Sequence, residues 1–338
     1  MYYTLGLWLS IESISSQGYY IPLEIFKDST QNIFKETRCI LTSSYTKKRK
    51  DNSVYRIISK SELAMFTTQL IVEAPDVARK AQAGQFVVVR ISETGERIPL
   101  TIADYDREKG TITMVIQPVG SSTGKICSLS EGNSLHDVAG PLGNPSEMIE
   151  NGTVVCVGGG IGIAPIYPIA REFKAHGNKV ISIIGARSGE HLFWEDKLKA
   201  VSDELHIATD DGSKGIKGFV TGPLTDMMKA GTKIDRVLAI GPLIMMKNIA
   251  NTTRPFAIKT IVSLNPIMVD GTGMCGSCRV NVGGETKFSC VDGPEFDGHL
   301  VDFEGLMARG RMYADEEKAS VEAYQHMKDG VPLCLAKR

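Results

Sequence analysis

The stretch from Thr153 to His176 constrains the fold more than any other part of the chain. Thr153-Val154-Val155-Cys156-Val157 is a continuous apolar run, the pattern of a strand covered on both faces. Gly158-Gly159-Gly160-Ile161-Gly162-Ile163-Ala164-Pro165 follows at once, and a helical pattern then runs from about Pro165 to His176. Pro165 sits at the helix start, where its missing N–H costs nothing. Strand, glycine-rich turn and helix in that order specify a parallel α/β layer. Backbone amides in such a turn can approach a pyrophosphate closely, because no Cβ intervenes. The spacing is Gly-x-Gly-x-Gly, not the Gly-x-Gly-x-x-Gly of the dinucleotide fingerprint. Taken alone, the turn is therefore either a nucleotide site or a tight connection without a ligand.

The same rhythm continues. Val180–Ile184, Leu205–Ala208 and Arg236–Ile240 read as further strands, with a helix over Leu243–Ala250. Each strand ends in a polar or glycine-rich loop: Gly185–Ser188 with Arg187, Thr209–Ser213 with Asp210 and Asp211, and Gly241-Pro242. In an open parallel sheet ligands bind at the carboxyl ends of the strands, so all these loops fall on one edge. Arg187 is placed to contact phosphate or ribose. Asp210 and Asp211 have the commoner alternative of capping a turn, and Met245 and Met246 that of core packing.

Upstream the pattern is different. Phe66–Glu73, Gln85–Ile91 and Thr111–Gln117 are short, β-branched or alternating runs separated by turns such as Asp106–Gly110, which predicts an antiparallel barrel. Two of its loops carry possible chemistry. Arg97-Ile98-Pro99-Leu100-Thr101 combines a fixed cation, a stiff proline and a hydroxyl. Val119–Lys125, with Ser122 and Thr123, precedes an apolar stretch, Ile126–Leu129, that reads as helical. Small hydroxyl residues at a helix start leave backbone N–H groups for a phosphate. Each loop is also an ordinary turn when read in isolation. Pro141–Pro145 reads as a linker-like turn closing this part.

Seven cysteines, an odd number, argue against a complete disulfide framework and for a reducing, cytoplasmic setting. Three of them fall in Asp270-Gly271-Thr272-Gly273-Met274-Cys275-Gly276-Ser277-Cys278 and, eleven residues on, Cys290. The plant-type [2Fe–2S] pattern is Cys-x4-Cys-x2-Cys and a distant Cys; here Asp270 holds the first position. Gly271, Gly273 and Gly276 let backbone N–H groups turn toward the cluster sulfurs. The rival metal reading is zinc on three thiolates and a carboxylate, although no second Cys-x2-Cys pair or well-placed histidine supports it. Cys156 and Cys127 read as structural.

The chain has 338 residues and a net charge of −1, enough for at least two domains and without a basic field for nucleic acid. No apolar run reaches the roughly 18–20 residues of a membrane span. Residues 1–54 differ from the rest: an apolar patch, Leu5–Ser10, precedes the basic run Lys47–Lys50, the reverse of a secretory signal. They read as an extension outside the fold, with Val54 as a candidate for the true start. The six histidines are scattered and no acid–base or nucleophile constellation stands out, so no catalytic side chain is expected.

Arg97–Thr101, Ser122-Thr123, Gly158–Pro165, Asp210–Ser213, Gly241-Pro242 and the cysteine cluster together resemble the ferredoxin-reductase-like flavoproteins with a C-terminal [2Fe–2S] module. Over about residues 55–310 the chain is similar to dihydroorotate dehydrogenase electron-transfer subunits. It is closer to the small (alpha) subunit of NADH-dependent ferredoxin:NADP oxidoreductase, also described as the sulfide dehydrogenase beta subunit. Asp270 decides between the two, since the dihydroorotate type would have cysteine there.

The resemblance implies an α+β multi-domain chain: an antiparallel FAD barrel at 55–148, a parallel-sheet NAD(H) domain at 152–262, a [2Fe–2S] subdomain at 263–310 and a helical tail at 311–338. It implies that Arg97, Pro99, Leu100 and Thr101 hold the flavin, that Val115, Ile116 and Gln117 run beside it, and that Ser122 and Thr123 take its pyrophosphate. Gly159, Gly160, Gly162, Pro165, Arg187, Asp210, Asp211, Gly241 and Pro242 are the nicotinamide-nucleotide candidates, and Asp270, Cys275, Cys278 and Cys290 the cluster ligands. The wider family places its arginine three residues before the hydroxyl; here Ile98 holds that place and Arg97 lies one earlier.

The implied activity is electron transfer between NAD(H), FAD, the cluster and a larger flavin/iron–sulfur partner subunit, with ferredoxin reached through the complex. NADH is expected over NADPH, because Arg187 alone stands where a 2′-phosphate needs neutralising. Ala314–Lys328 reads as a charged helix that packs on the partner or on the chain itself. Two alternatives remain at this point: a dihydroorotate dehydrogenase electron-transfer subunit, and a non-catalytic zinc-stabilised binding protein.

Overall fold

The computed structural model describes residues 55–328. The expectations placed on residues 1–54 and on the tail beyond residue 328 lie outside the described residues.

Strand β1 (Tyr55–Ala64) turns back at Phe66 into β2 (Thr67–Glu73), which pairs with β6 (Thr111–Ile116). Leu70 lies opposite Met114 and Val72 opposite Ile112, all four fully buried, so strand alternation puts one face of this sheet into the core. With β5 (Asp104–Asp106) and β7 (Ser134–Leu135) the order is β5-β6-β2-β1-β7. A second antiparallel sheet, β4-β3-β8, consists of Ile98–Thr101, Phe86–Arg90 and Asp137–Leu142. Ile57, Val72 and Met114 of the first sheet share one core with Val87, Val89 and Val138 of the second, which closes the antiparallel barrel.

Two details differ from the sequence reading. Pro141 and Leu142 belong to strand β8, an edge strand, where a proline's missing N–H faces no partner. Helix α2 (Ser121–Ser128), which follows α1 (Pro75–Lys80), begins five residues before the apolar stretch that announced it. Its first turn is fixed by polar bonds instead: Thr123 Oγ1 accepts from the Gly120 N–H at 3.0 Å and donates to the Gly120 carbonyl at 3.1 Å.

The second sheet system runs β12-β11-β10-β9-β13-β14-β17. Its parallel strands are β9 (Thr153–Gly159), β10 (Lys179–Ala186), β11 (Glu204–Thr209), β12 (Ile216–Lys217), β13 (Arg236–Ile240) and β14 (Thr260–Ser263). The helices α3 (Ile163–Ala175), α4 (Glu195–Val201), α5 (Thr221–Lys229) and α6 (Leu243–Thr253) cross between them. α3 buries Ile163, Ile166, Ile169, Ala170 and Phe173, an apolar stripe at helical spacing laid on the sheet. Gly177, at φ +75°, stops it. β9 neighbours both β10 and β13, so chain direction across the sheet reverses at the gap between the ends of β9 and β13.

Downstream, β15 (Arg279–Val282) and β16 (Glu285–Phe288) form a hairpin, while β17 (Glu295–Asp297) returns antiparallel to β14 and extends the large sheet. Helix α7 (Phe303–Gly310) anchors Phe303 and Leu306 in the core beneath the sheet, and Asp302 caps it by accepting from the Gly305 N–H at 3.0 Å. Helix α8 (Ala314–Lys328) packs on this chain. Ser320 hydrogen-bonds Ser121 at 2.7 Å, and the Tyr324 ring lies where Gly124 leaves no room for a Cβ.

Candidate functional site

A cleft of about 910 Å³ opens where the barrel, the end of the parallel sheet and residues 263–269 meet. The barrel contributes Arg97, Pro99, Leu100 and Thr101 from the β4 loop and strand, Val115, Ile116 and Gln117 at the end of β6, and Thr123 of α2. Gly162, Pro165 and Gly241 close the other side. The barrel and α/β candidates thus face one another across one space. Ser122 stands beside it, with its hydroxyl donated to the Glu96 carboxylate.

Gly159, Gly160 and Pro242 sit at the same strand ends without lining the cleft. Arg187, Asp210 and Asp211 form a separate group beyond β10 and β11. There the Asp210 N–H donates to the Ala186 carbonyl at 3.1 Å and the Asp211 N–H to the Arg187 carbonyl at 3.2 Å. Asp211 caps its turn, accepting from the Ser213 hydroxyl at 2.6 Å and N–H at 2.9 Å, and these donors hold its carboxyl below the usual range.

The glycines of the α3 turn have separable reasons. A methyl on Gly162 would drive into the Ile240 carbonyl, so backbone packing at the β9/β13 gap demands glycine there, whereas one on Gly159 would meet only the movable end of the Met245 side chain. Gly160 is different: it has φ +55° and nothing within 4 Å of where a Cβ would stand. Its left-handed backbone faces open space at the helix start, a cradle that a phosphate can enter.

The cysteine segment packs against the back of the cleft. Cys278 and Cys290, each 2% exposed, share a buried cluster with Phe86, Val88 and Met268. Phe86 and Met268 also line the cleft, so a single apolar layer separates it from the two thiols. The Cys278 and Cys290 sulfurs lie 3.2 Å apart, with both residues as free thiols. Burial and the neighbouring Cys278 push the Cys290 thiol up to about 11, and a metal cation is what deprotonates such a group at neutral pH. Cys275 is exposed, and the backbone N–H groups of Ser277 and Asp270 hold its thiol below the ordinary value.

Asp270 accepts from the Thr272 hydroxyl and, at 3.1 Å, from the Thr272 N–H. These bonds, the Met274 N–H and the charge of Arg97 hold its carboxyl low. Gly271, Gly273 and Gly276, all at positive φ, wind the loop between these candidate ligands. Among the described residues no three His, Cys, Asp or Glu side chains are grouped as a preformed site for a metal ion. A two-iron cluster distributes its four ligands in two pairs, which this donor set fits. Cys156 is fully buried in β9 and its thiol is pushed up by burial, as befits a packing residue.

Comparison with known proteins agrees with this geometry. Residues 265–302 match the iron–sulfur cluster binding domain of dihydroorotate dehydrogenase B. A Thermotoga maritima homologue of the dihydroorotate dehydrogenase B electron-transfer subunit is 47% identical over 268 residues, covering 79% of this chain and 94% of that protein. The chain belongs to the dihydroorotate dehydrogenase B electron-transfer subunit family. A Clostridium beijerinckii relative, described as an uncharacterized protein in the adh 3′ region, is 48% identical over 80% of this chain and 94% of its own. A chain of the NADH-dependent reduced ferredoxin-NADP oxidoreductase, solved in a study of flavin-based electron bifurcation, superposes with a TM-score of 0.77. It is 45% identical and covers 82% of this chain and 99% of that one.

The family fold is the ferredoxin-reductase-like one, and the chain is an oxidoreductase electron-transfer subunit whose cofactors are FAD, NAD(H) and an iron–sulfur cluster. A subunit of this family works with a larger partner subunit. Among the described residues no helix is long and apolar enough to cross a membrane.

Several lining residues had no signal in the sequence. Glu96, Arg309 and Glu317 reach the cleft from a loop and from the last helices, and Ser263–Val269 also line it. No motif marks them, because each reaches the cleft only through packing between distant segments.

Proposed function

We propose that this chain is the small subunit of a ferredoxin:NADP oxidoreductase-type complex, carrying electrons between NAD(H) and a larger flavin/iron–sulfur subunit, with ferredoxin reached through that complex. Residues 55–148 hold FAD, 152–262 hold NAD(H) and 263–310 hold a [2Fe–2S] cluster. The observation that carries the reading is the shared wall: Phe86 and Met268 line the cleft on one side and pack on Cys278 and Cys290 on the other. When bound, the flavin supplies the exchange between two-electron nicotinamide chemistry and the one-electron chemistry of a cluster.

The chain's residues supply position and electrostatics. Arg97 and Thr101 offer a cation and a hydroxyl at the cleft wall, and Ile98 and Leu100 an apolar surface for a ring. The start of α2 presents free backbone N–H groups toward a pyrophosphate. Gly160 leaves space for the nucleotide phosphates, and Asp210 and Asp211 lie at the strand ends where a ribose is held. Asp270, Cys275, Cys278 and Cys290 hold the irons, and the buried pair keeps water from that side. No side chain has to exchange a proton with substrate.

Protein purified without oxygen should show flavin absorption, about two irons and two sulfides per chain, and bleaching on NADH addition. A preparation with flavin but no iron sinks the proposal. Asp270 favours this assignment over a dihydroorotate-oxidising complex. Capture of the native partner and assay of its substrate separate the two.

A further inference from the structure

Arg309 carries no sequence motif and is not among the proposed cofactor-holding residues. It lies in the last turn of α7, a helix locked into the α/β core by Phe303 and Leu306. Arg309 lines the cleft, and its Nη2 donates to the Ser277 carbonyl at 3.0 Å in a part-buried bond. Ser277 lies between Cys275 and Cys278. One fixed cation therefore touches both the flavin cleft and the ligand loop.

We infer that Arg309 is a positioning residue of the electron path, whose charge favours the reduced state of the cluster held by the Cys275–Cys278 loop. The inference rests on the cofactor reading above. Reduction adds one electron to the cluster, with no bond made or broken. A nearby cation that cannot lose its proton stabilises that added charge, and a part-buried one is screened less than an exposed one. Among the other charged residues at the cleft, Arg97 acts on Asp270 from the barrel side, while Glu96 and Glu317 carry the opposite sign. Arg279 is an internal control: it donates to the Gly276 carbonyl at 3.2 Å in the same loop, but in an exposed bond that water screens. A basic residue in a helix's last turn also complements the helix dipole, a role that would leave a cluster potential unchanged.

The test compares the intact protein with Arg309→Met, Arg309→Lys and Arg279→Met, all purified without oxygen. Iron, sulfide and FAD are counted first, and the cluster midpoint is then read by EPR in a dye-mediated titration. Arg309→Met should keep its iron and FAD while its reduced-to-oxidised ratio at the wild-type midpoint falls about tenfold, which is 59 mV for one electron. Arg309→Lys should recover most of that ratio, and Arg279→Met should change it less than twofold. An unchanged midpoint in iron-replete Arg309→Met overturns the inference, as does an equal shift in Arg279→Met. Should Arg309→Met lose its iron, Arg309→Gln decides on the same readout: a comparable fall supports the inference and no fall overturns it. Wild-type protein without iron overturns the cofactor reading, and this inference with it, a result distinct from a replete cluster with an unmoved midpoint.

Discussion

At the residue scale, the site depends on a few side chains held away from their ordinary protonation. Cys290, a proposed cluster ligand, is a buried thiol pushed up to about 11. Cys290→Ser should cut bound iron at least about tenfold, read by metal analysis. Asp270→Cys should keep the iron and move the midpoint, because thiolate is the softer donor. Glu295, which does not line the cleft, is also held away from its ordinary protonation. Its carboxylate accepts from the Ser146 hydroxyl at 2.5 Å, beside Arg236 and Glu147, and withdrawal from water pushes it up to about 7.

An acid raised in the folded state binds more protons folded than unfolded. Its contribution to stability is present below about pH 4.5 and is lost as pH rises through about 7. Melting temperature should therefore fall between pH 5 and pH 7.5 in the wild type. Glu295→Gln should flatten that fall, and an unchanged slope in thermal melts would count against the assignment.

At the element scale, the α3 turn separates packing from binding. Gly162→Ala places a methyl against the Ile240 carbonyl and should cost at least about 3 kcal/mol in urea unfolding. Gly160→Ala meets no atom; its left-handed backbone costs about 1 kcal/mol. The protein should fold, yet a methyl in the phosphate cradle should raise the KM for NADH about tenfold or more. Helix α8 also acts as a unit: it lies on α2 through Ser320 and Tyr324 and brings Glu317 to the cleft. Ending the chain after Gly310 uncovers α2 and should speed FAD release about tenfold in a stopped-flow dissociation assay.

At the scale of the whole molecule, the barrel and the α/β sheet are joined by a polar clamp. Asp104 of β5 accepts from Arg171 of α3 at 2.7 Å and from Lys197 of α4 at 3.3 Å, while Tyr105 OH donates to Glu172 at 3.2 Å. Arg171 also lies over the Tyr105 and Tyr167 rings, and Lys197 over Tyr167 and Trp194. The clamp fixes α3, whose other end carries the Gly160–Gly162 turn into the site. Asp104→Ala should remove about 1–2 kcal/mol of this coupling, lower the melting temperature by a few degrees and broaden or split the calorimetric transition.

The chain's local chemistry was sufficient for what depends on short range. Apolar runs marked the strand before Gly158–Gly162 and the helix after it, and the spacing in 270–290 offered four candidate ligands, because both patterns lie within one short stretch of chain. The start of α2 was hidden because it rests on Thr123 and Gly120 rather than on apolar periodicity. The strand character of Pro141 depends on its lying at a sheet edge. Only the tertiary structure decided that β17 completes the nucleotide sheet, that Phe86 and Met268 separate cleft from thiols, and that Arg309 spans both. These juxtapositions join residues far apart in the chain. Packing brings them together, and no spacing along the sequence encodes that.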